Sequence, residues 1–168
     1  MVKRSMQIDS KDQWNTLLNK NEIHMALTLY NHAIESDPEN GNAYFNRANF
    51  YAELSKSSPK YYPQAMLDYH AAIHLDPKNI EFIYARGVTL IAHNKFDEAM
   101  EDFDNVIELN PEFHLAYYQL GIILNQLAMR ECSMELGKAA IQYFKKAESL
   151  GNGLAADMLN KSNDTLPL

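Results

Sequence analysis

Residues 80–113 read IEFIYARGVTLIAHNKFDEAMEDFDNVIELNPEF. Ile83, Gly87 and Leu90 fall at steps of four and three, and Ala99, Phe103 and Val106 repeat those steps before Pro111. Such steps trace one face of an α-helix. The stretch therefore predicts two amphipathic helices. Asn110-Pro111 ends the second, because the residue before a proline avoids the helical region.

The same skeleton recurs on both sides. Ala26–Tyr30–Ala33–Pro38 and Ala65–Tyr69–Ala72–Pro77 match the second half, and Ala140–Phe144–Ala147 matches it with Asn152 in the proline position. Tyr44–Ala48–Tyr51 and Tyr117–Gly121–Leu124 match the first half. Ala48, Gly87 and Gly121 are small where one helix must approach its partner closely, and the alanines of the second helices do the same from the other side. Tyr30, Tyr69, Phe103 and Phe144 are the large groups that fill the space between units. By this reading Gly87→Leu overpacks a crossing, while Gly87→Ala is mild because Ala48 holds the equivalent place. One helix pair cannot cover its own apolar face, so neighbouring pairs must stack.

These residues resemble the tetratricopeptide repeat (TPR) family, whose 34-residue signature carries W-x2-L-G-x2-Y, then A-x3-F, then P. Residues 80–113 match that length without a gap, and the likeness covers roughly residues 7 to 152. It implies an all-α, right-handed α-solenoid of about four helix pairs plus a C-terminal capping helix. The repeats span about 7–40, 41–79, 80–113 and 114–152, and the terminal helix about 153–162. Residues 1–6 and 163–168 are expected to be flexible termini. Trp14 stands where the first unit should carry a small residue: either the first helix tilts outward or, as expected, the first unit caps the open end with that ring. Two insertions separate helices within units: Ser55–Pro63 reads as loop, and Met129–Gly137 is expected to lengthen both flanking helices. In the last helix Ala155, Ala156 and Leu159 should pack on the fourth unit.

Composition sets the outer limits. Six Gly and six Pro in 168 residues are about half the usual share, which suits long helices. The formal net charge of −7 lacks the clustered positive charge that nucleic acid or an anionic membrane surface requires. Neither is expected as a partner. No apolar segment follows the basic start MVKRSMQIDSKDQW, so no signal peptide is expected. The single cysteine, Cys132, closes no intrachain disulfide and suits a reducing compartment. The chain is expected to be soluble and cytoplasmic.

Catalytic signals are weak. His70 and His74 have metal-ligand spacing, but HAAIH lacks the glutamate of a zincin, and both are expected on the outer face. His24, His32, His93 and His114 are scattered. No base accompanies Cys132, and Gly151-Asn152-Gly153 lacks the spacing and lysine of a phosphate loop. Asp97, Glu98, Glu101, Asp102, Asp104 and Glu108 make an acidic helix read as a solvated face. No catalytic residue, metal site or cofactor is expected, and the chain is read as non-enzymatic.

The resemblance implies binding of a peptide or helix on the concave side, lined by the first helix of each unit. Helical phase places Asn42, Phe45, Asn46 and Asn49, then Glu81, Tyr84, Ala85 and Val88, then Leu115, Tyr118, Gln119 and Ile122 on that side. Asn49 and Tyr84 are expected to face the groove more than the core, and the Tyr84 and Tyr118 rings are expected to be neighbours; the alternative for Phe45, Tyr84 and Tyr118 is that each ring simply packs between repeats. The expected role is a protein–protein interaction module: an adaptor, assembly factor or co-chaperone taking a protein or peptide partner. Two alternatives stand beside it. One is a structural subunit or homodimer using convex or terminal faces. The other is the carboxylate clamp of co-chaperone TPRs, for which Lys11, Asn15 and Asn46 fit but Glu81 and Ala85 stand where Lys and Arg are required.

Overall fold

A computed structural model describes residues 20–165. Its helices are α1 (Lys20–Ser36), α2 (Gly41–Ser57), α3 (Tyr62–Leu75), α4 (Ile80–Ala92), α5 (Phe96–Leu109), α6 (His114–Glu131), α7 (Met134–Ser149) and α8 (Gly153–Thr165). No strand occurs among the described residues. Trp14 and the expected first helix lie outside them.

The repeating residues do what their sizes require. α2 packs along α3, α4 along α5 and α6 along α7, and α8 lies on α7. Ala48, Ala65, Ala99 and Ala140 are buried at these crossings, as are the rings of Tyr69, Phe103 and Phe144. A Cβ added at Gly87 would sit 2.9 Å from Phe103 Cε1, and one at Gly121 would sit 2.6 Å from Phe144 Cε1. Relaxed carbon contacts lie near ~3.5–4.0 Å, so even alanine crowds these sites. The expected mildness of Gly87→Ala is corrected accordingly. The core runs through the stack as three adjoining clusters centred on Tyr69, Phe103 and Phe144.

Helix starts and stops follow local chemistry. Asn40 and Asn79 cap α2 and α4, their side-chain oxygens accepting from Asn42 N–H (3.1 Å) and Glu81 N–H (3.2 Å). Asn152 caps α8 by accepting from Ala155 N–H at 3.1 Å. Its amide then donates to His114 Nδ1 at 3.0 Å, tying α8 to the start of α6. Asn94, Cys132 and Gly151 all take positive φ. Each lets the next amide reach back over a helix end: Lys95 N–H to Leu90, Ser133 N–H to Ala128 and Asn152 N–H to Ala147. These are αL caps that satisfy terminal carbonyls.

The two insertions differ. Met129–Gly137 extends both flanking helices, with α6 reaching Glu131 and α7 starting at Met134. Ser55–Pro63 is not a loop: α2 runs to Ser57, a single 3-10 turn covers Pro59–Tyr61, and α3 starts at Tyr62. Packing explains this. The buried Ser55 hydroxyl donates to the Ala52 carbonyl at 2.7 Å, so His93 Nε2 must donate to Ser55 Oγ at 2.8 Å. Tyr61 also stacks on Tyr51, with centroids 6.1 Å apart. At the C-terminus α8 packs Ala155 and Leu159 on the fourth unit and continues to Thr165, past residue 162.

The acidic helix α5 is not uniformly solvated. Asp102 is only 4% exposed and accepts from Arg86 Nε (2.9 Å) and Nη2 (2.5 Å). Asp68 accepts from Arg47 in the same bidentate way, both at 2.7 Å, and Arg47 Nη1 also donates to Asn31 of α1 at 2.6 Å. The guanidinium fork matches a carboxylate in two parallel bonds, which is how an aspartate is tolerated between helices. The next unit carries Leu120 and Tyr143 at the corresponding positions.

Candidate binding groove

A groove of about 440 Å³ lies between the first helices of successive units, α2 and α4. Phe45 and Asn49 enter it from α2, and Glu81, Tyr84, Ala85 and Val88 from α4. Phe45 is nearly buried there, its ring 4.7 Å from that of Phe82 and 6.2 Å from that of Tyr69. It forms floor rather than a free anchor. Asn49 is committed too, since its side-chain oxygen accepts from the Tyr69 hydroxyl at 2.7 Å. Thr89 Oγ1 donates to the Ala85 carbonyl (2.9 Å) and lies 3.3 Å from the Tyr69 hydroxyl. Burial pushes the Tyr69 pKa up to about 12, so this neutral phenol is a fixed structural donor.

The other expected groove residues are placed differently. Asn42 and Asn46 are exposed on α2 and do not line the groove. Tyr84 is half-buried, 5.6 Å from the Phe103 ring and 5.2 Å from the Phe113 ring. Burial raises its pKa, and its hydroxyl accepts from Gln119 Nε2 at 3.2 Å. Tyr118 packs on Phe144 at 5.9 Å. Each ring therefore packs chiefly on the phenylalanines around it. Leu115 and Ile122 are half-buried on α6, Ile122 against the C-terminal cluster.

Sequence reasoning missed Ala52, Glu53, Lys56, Tyr69, Thr89 and Ala92 as lining residues. Glu53, Lys56 and Ala92 continue the steps of three and four beyond Asn49 and Val88, so the phase was available and stopped too soon. Lys56 pairs with Glu53 across one helical turn. No ion pair reaches Glu81 from any described residue. Val88, 37% exposed, is the apolar group offered outward. A second hollow of about 260 Å³ lies at the α6–α7 turn, with Met129, Cys132 and Met134 on its rim.

Among the described residues no group of three or more His, Cys, Asp or Glu could hold a metal ion. None of the described helices is long and apolar enough to cross a membrane. His70 does face outward, but burial and then the Arg86 charge lower its pKa.

Comparisons with known proteins agree with this architecture. Residues 29–58 and 84–155 match two tetratricopeptide repeat family models. Tetratricopeptide repeat protein 6 of Homo sapiens is 29% identical over 132 residues, 79% of this chain and 25% of that protein. Serine/threonine-protein phosphatase 5 of Homo sapiens is 29% identical over 130 residues, 76% of this chain and 25% of that protein. The chain thus spans about a quarter of the length of these relatives. A crystal structure of MamA superposes with a TM-score of 0.67 at 20% identity, covering 95% of this chain and 85% of that one. That is a likeness of fold.

Proposed function

Because the chain belongs to the tetratricopeptide repeat family, whose modules mediate protein–protein interactions, we propose that it is a non-enzymatic binding module. It works as an adaptor, assembly factor or co-chaperone, its stacked helix pairs and terminal helix acting as one solenoid over the described residues 20–165. The partner lays a segment in the groove between α2 and α4. The observation that carries this reading is the groove itself: an open slot between repeats with Val88 and small alanines along it and a few polar groups. Sites of that make-up fix a ligand's orientation with polar groups while apolar contact supplies affinity.

The carboxylate-clamp alternative finds little support. Glu81 and Ala85 stand where two cations are needed, and Arg86 is engaged by Asp102. Lys11 and Asn15 lie outside the described residues. The structural-subunit alternative is favoured by one observation: Met129, Met134 and Leu154 are 75%, 68% and 59% exposed.

The test is a partner captured from native lysate and then measured by calorimetry. Asn49→Ala and Tyr84→Ala also remove the bond to Tyr69 and the packing on Phe103 and Phe113, so Val88→Gln is the cleaner groove change. It should weaken the partner at least tenfold, since about 1.4 kcal/mol corresponds to that factor. Glu101→Ala with Asp104→Ala on the outer face should not. The reverse pattern moves the site to the convex surface. Concentration-dependent sedimentation abolished by Met129→Gln with Leu154→Gln would establish the subunit reading instead.

A further inference from the structure

The charges around the groove are unequal. Lys56 pairs with Glu53, which among the described residues leaves Glu81 as the slot's charge without an ion pair, within a chain of net charge −7. Tyr84 lies three residues on, and positions three apart share a helical face. A carboxylate beside a half-buried phenol ring is a receptor for a planar cation: the carboxylate accepts two parallel N–H bonds and the ring face attracts the positive charge. A lysine ammonium meets the charge but not the plane or the fork. A partner carboxylate at this place would be repelled by Glu81.

Resting on the groove reading above, we propose that the occupant is a partner segment in extended, polyproline II conformation that carries an arginine, seated on Glu81 and Tyr84. The slot also fixes a spacing. Glu81 to Val88 is about 10 Å along α4 at ~1.5 Å per residue. Three residues of chain in the polyproline II form, at ~3.1 Å each, span about that distance, and its three residues per turn put positions three apart on one face. The segment therefore bears an aliphatic side chain three residues from the arginine, lying on Val88. The acidic chain draws such a segment in, and the attraction weakens with added salt.

The experiment pans a displayed library of random 12-residue peptides on the full chain, then measures the selected peptides by calorimetry. The expected outcome is enrichment of arginine with an aliphatic residue three positions away. Glu81→Lys should weaken such a peptide at least tenfold, Glu81→Gln less, and an Arg→Glu version of the peptide should regain affinity for Glu81→Lys. Glu81 is exposed in the first turn of α4, so these variants are expected to fold. Peptides that lose binding with Val88→Gln but show no basic preference would overturn the arginine inference and leave the groove standing. Peptides indifferent to Val88→Gln, or no binders at all, would overturn the groove reading with it.

Discussion

Gly121 and Gly137 lie within the helices of one repeat, α6 and α7, and the structure assigns opposite signs to the same substitution. Placing alanine in a helix interior in place of glycine gains about 0.5–1 kcal/mol through backbone entropy. At Gly137 nothing opposes the gain, because the nearest atom to the new Cβ is Ala128 Cβ at 3.9 Å. At Gly121 the new Cβ falls 2.6 Å from Phe144 Cε1 and 2.7 Å from Cδ1. The ring must retreat by roughly 1 Å to restore ordinary contact, and it is buried. Overpacking of this kind costs about 1–3 kcal/mol, which exceeds the helical gain. Gly137→Ala should therefore raise the melting temperature by ~1–4 °C, and Gly121→Ala should lower it by a similar amount, at the ~2–4 °C per kcal/mol of a chain this size. Thermal unfolding followed by far-UV circular dichroism reads both. Adding Phe144→Leu should make Gly121→Ala less costly than in the parent, a coupling that a double-mutant cycle isolates. If Gly121→Ala stabilises as much as Gly137→Ala, the close crossing of α6 and α7 is not real and the assigned register falls with it.

Two further outcomes are expected. Arg86→Leu should cost about 3 kcal/mol, because it strands the buried Asp102 carboxylate, whereas Arg86→Leu with Asp102→Tyr, copying Leu120 and Tyr143, should recover most of it in urea unfolding; a double variant no better than the single would show that the swap does not transfer between repeats. Asp104 has its pKa raised by burial first and by Glu108 second, so its ionised form is disfavoured on folding. Stability linked to it is present below the ordinary carboxylate pKa of 3.8 and is lost as pH rises through the folded value. Asp104→Asn should consequently raise the melting temperature at pH 7, and the difference should close as pH falls below 3.8.

The fold was legible because its determinants are sizes at fixed steps. Ala48, Gly87 and Gly121 must be small and Tyr69, Phe103 and Phe144 large wherever helices cross, and a pattern of size survives changes in everything around it. The ion pairs were less legible, although they keep the same register: Arg47 and Arg86 each precede a small crossing residue, and Asp68 and Asp102 each precede a crossing ring. A carboxylate on a strongly acidic helix reads as solvated until its partner is seen, and that partner lies sixteen to twenty-one residues away. The same distance hid the commitment of Asn49, whose bond comes from Tyr69 on the next helix. The histidines His93 and His114 read as scattered because Ser55 and Asn152, their partners, are each thirty-eight residues distant.

The groove and the ion pairs belong to one arrangement. At 100° per residue, Arg86 lies about 140° from Glu81 and 160° from Val88 around α4. The side of α4 that the guanidinium fork clamps to Asp102 is thus opposite the side that faces the slot. Arg47 stands in the same relation to Phe45 and Asn49 on α2. A bidentate pair tolerates little rotation of its helix, so clamping one side sets the direction in which the other side looks. The pairs occur in the two repeats whose first helices form the groove walls, and Leu120 with Tyr143 replaces them in the repeat beyond it. Apolar packing can hold two helices together at several rotations with similar burial, whereas a forked bond discriminates among them. The two central repeats therefore place buried charge where orientation matters to the proposed binding surface, and the fourth uses apolar packing over the core beneath α8.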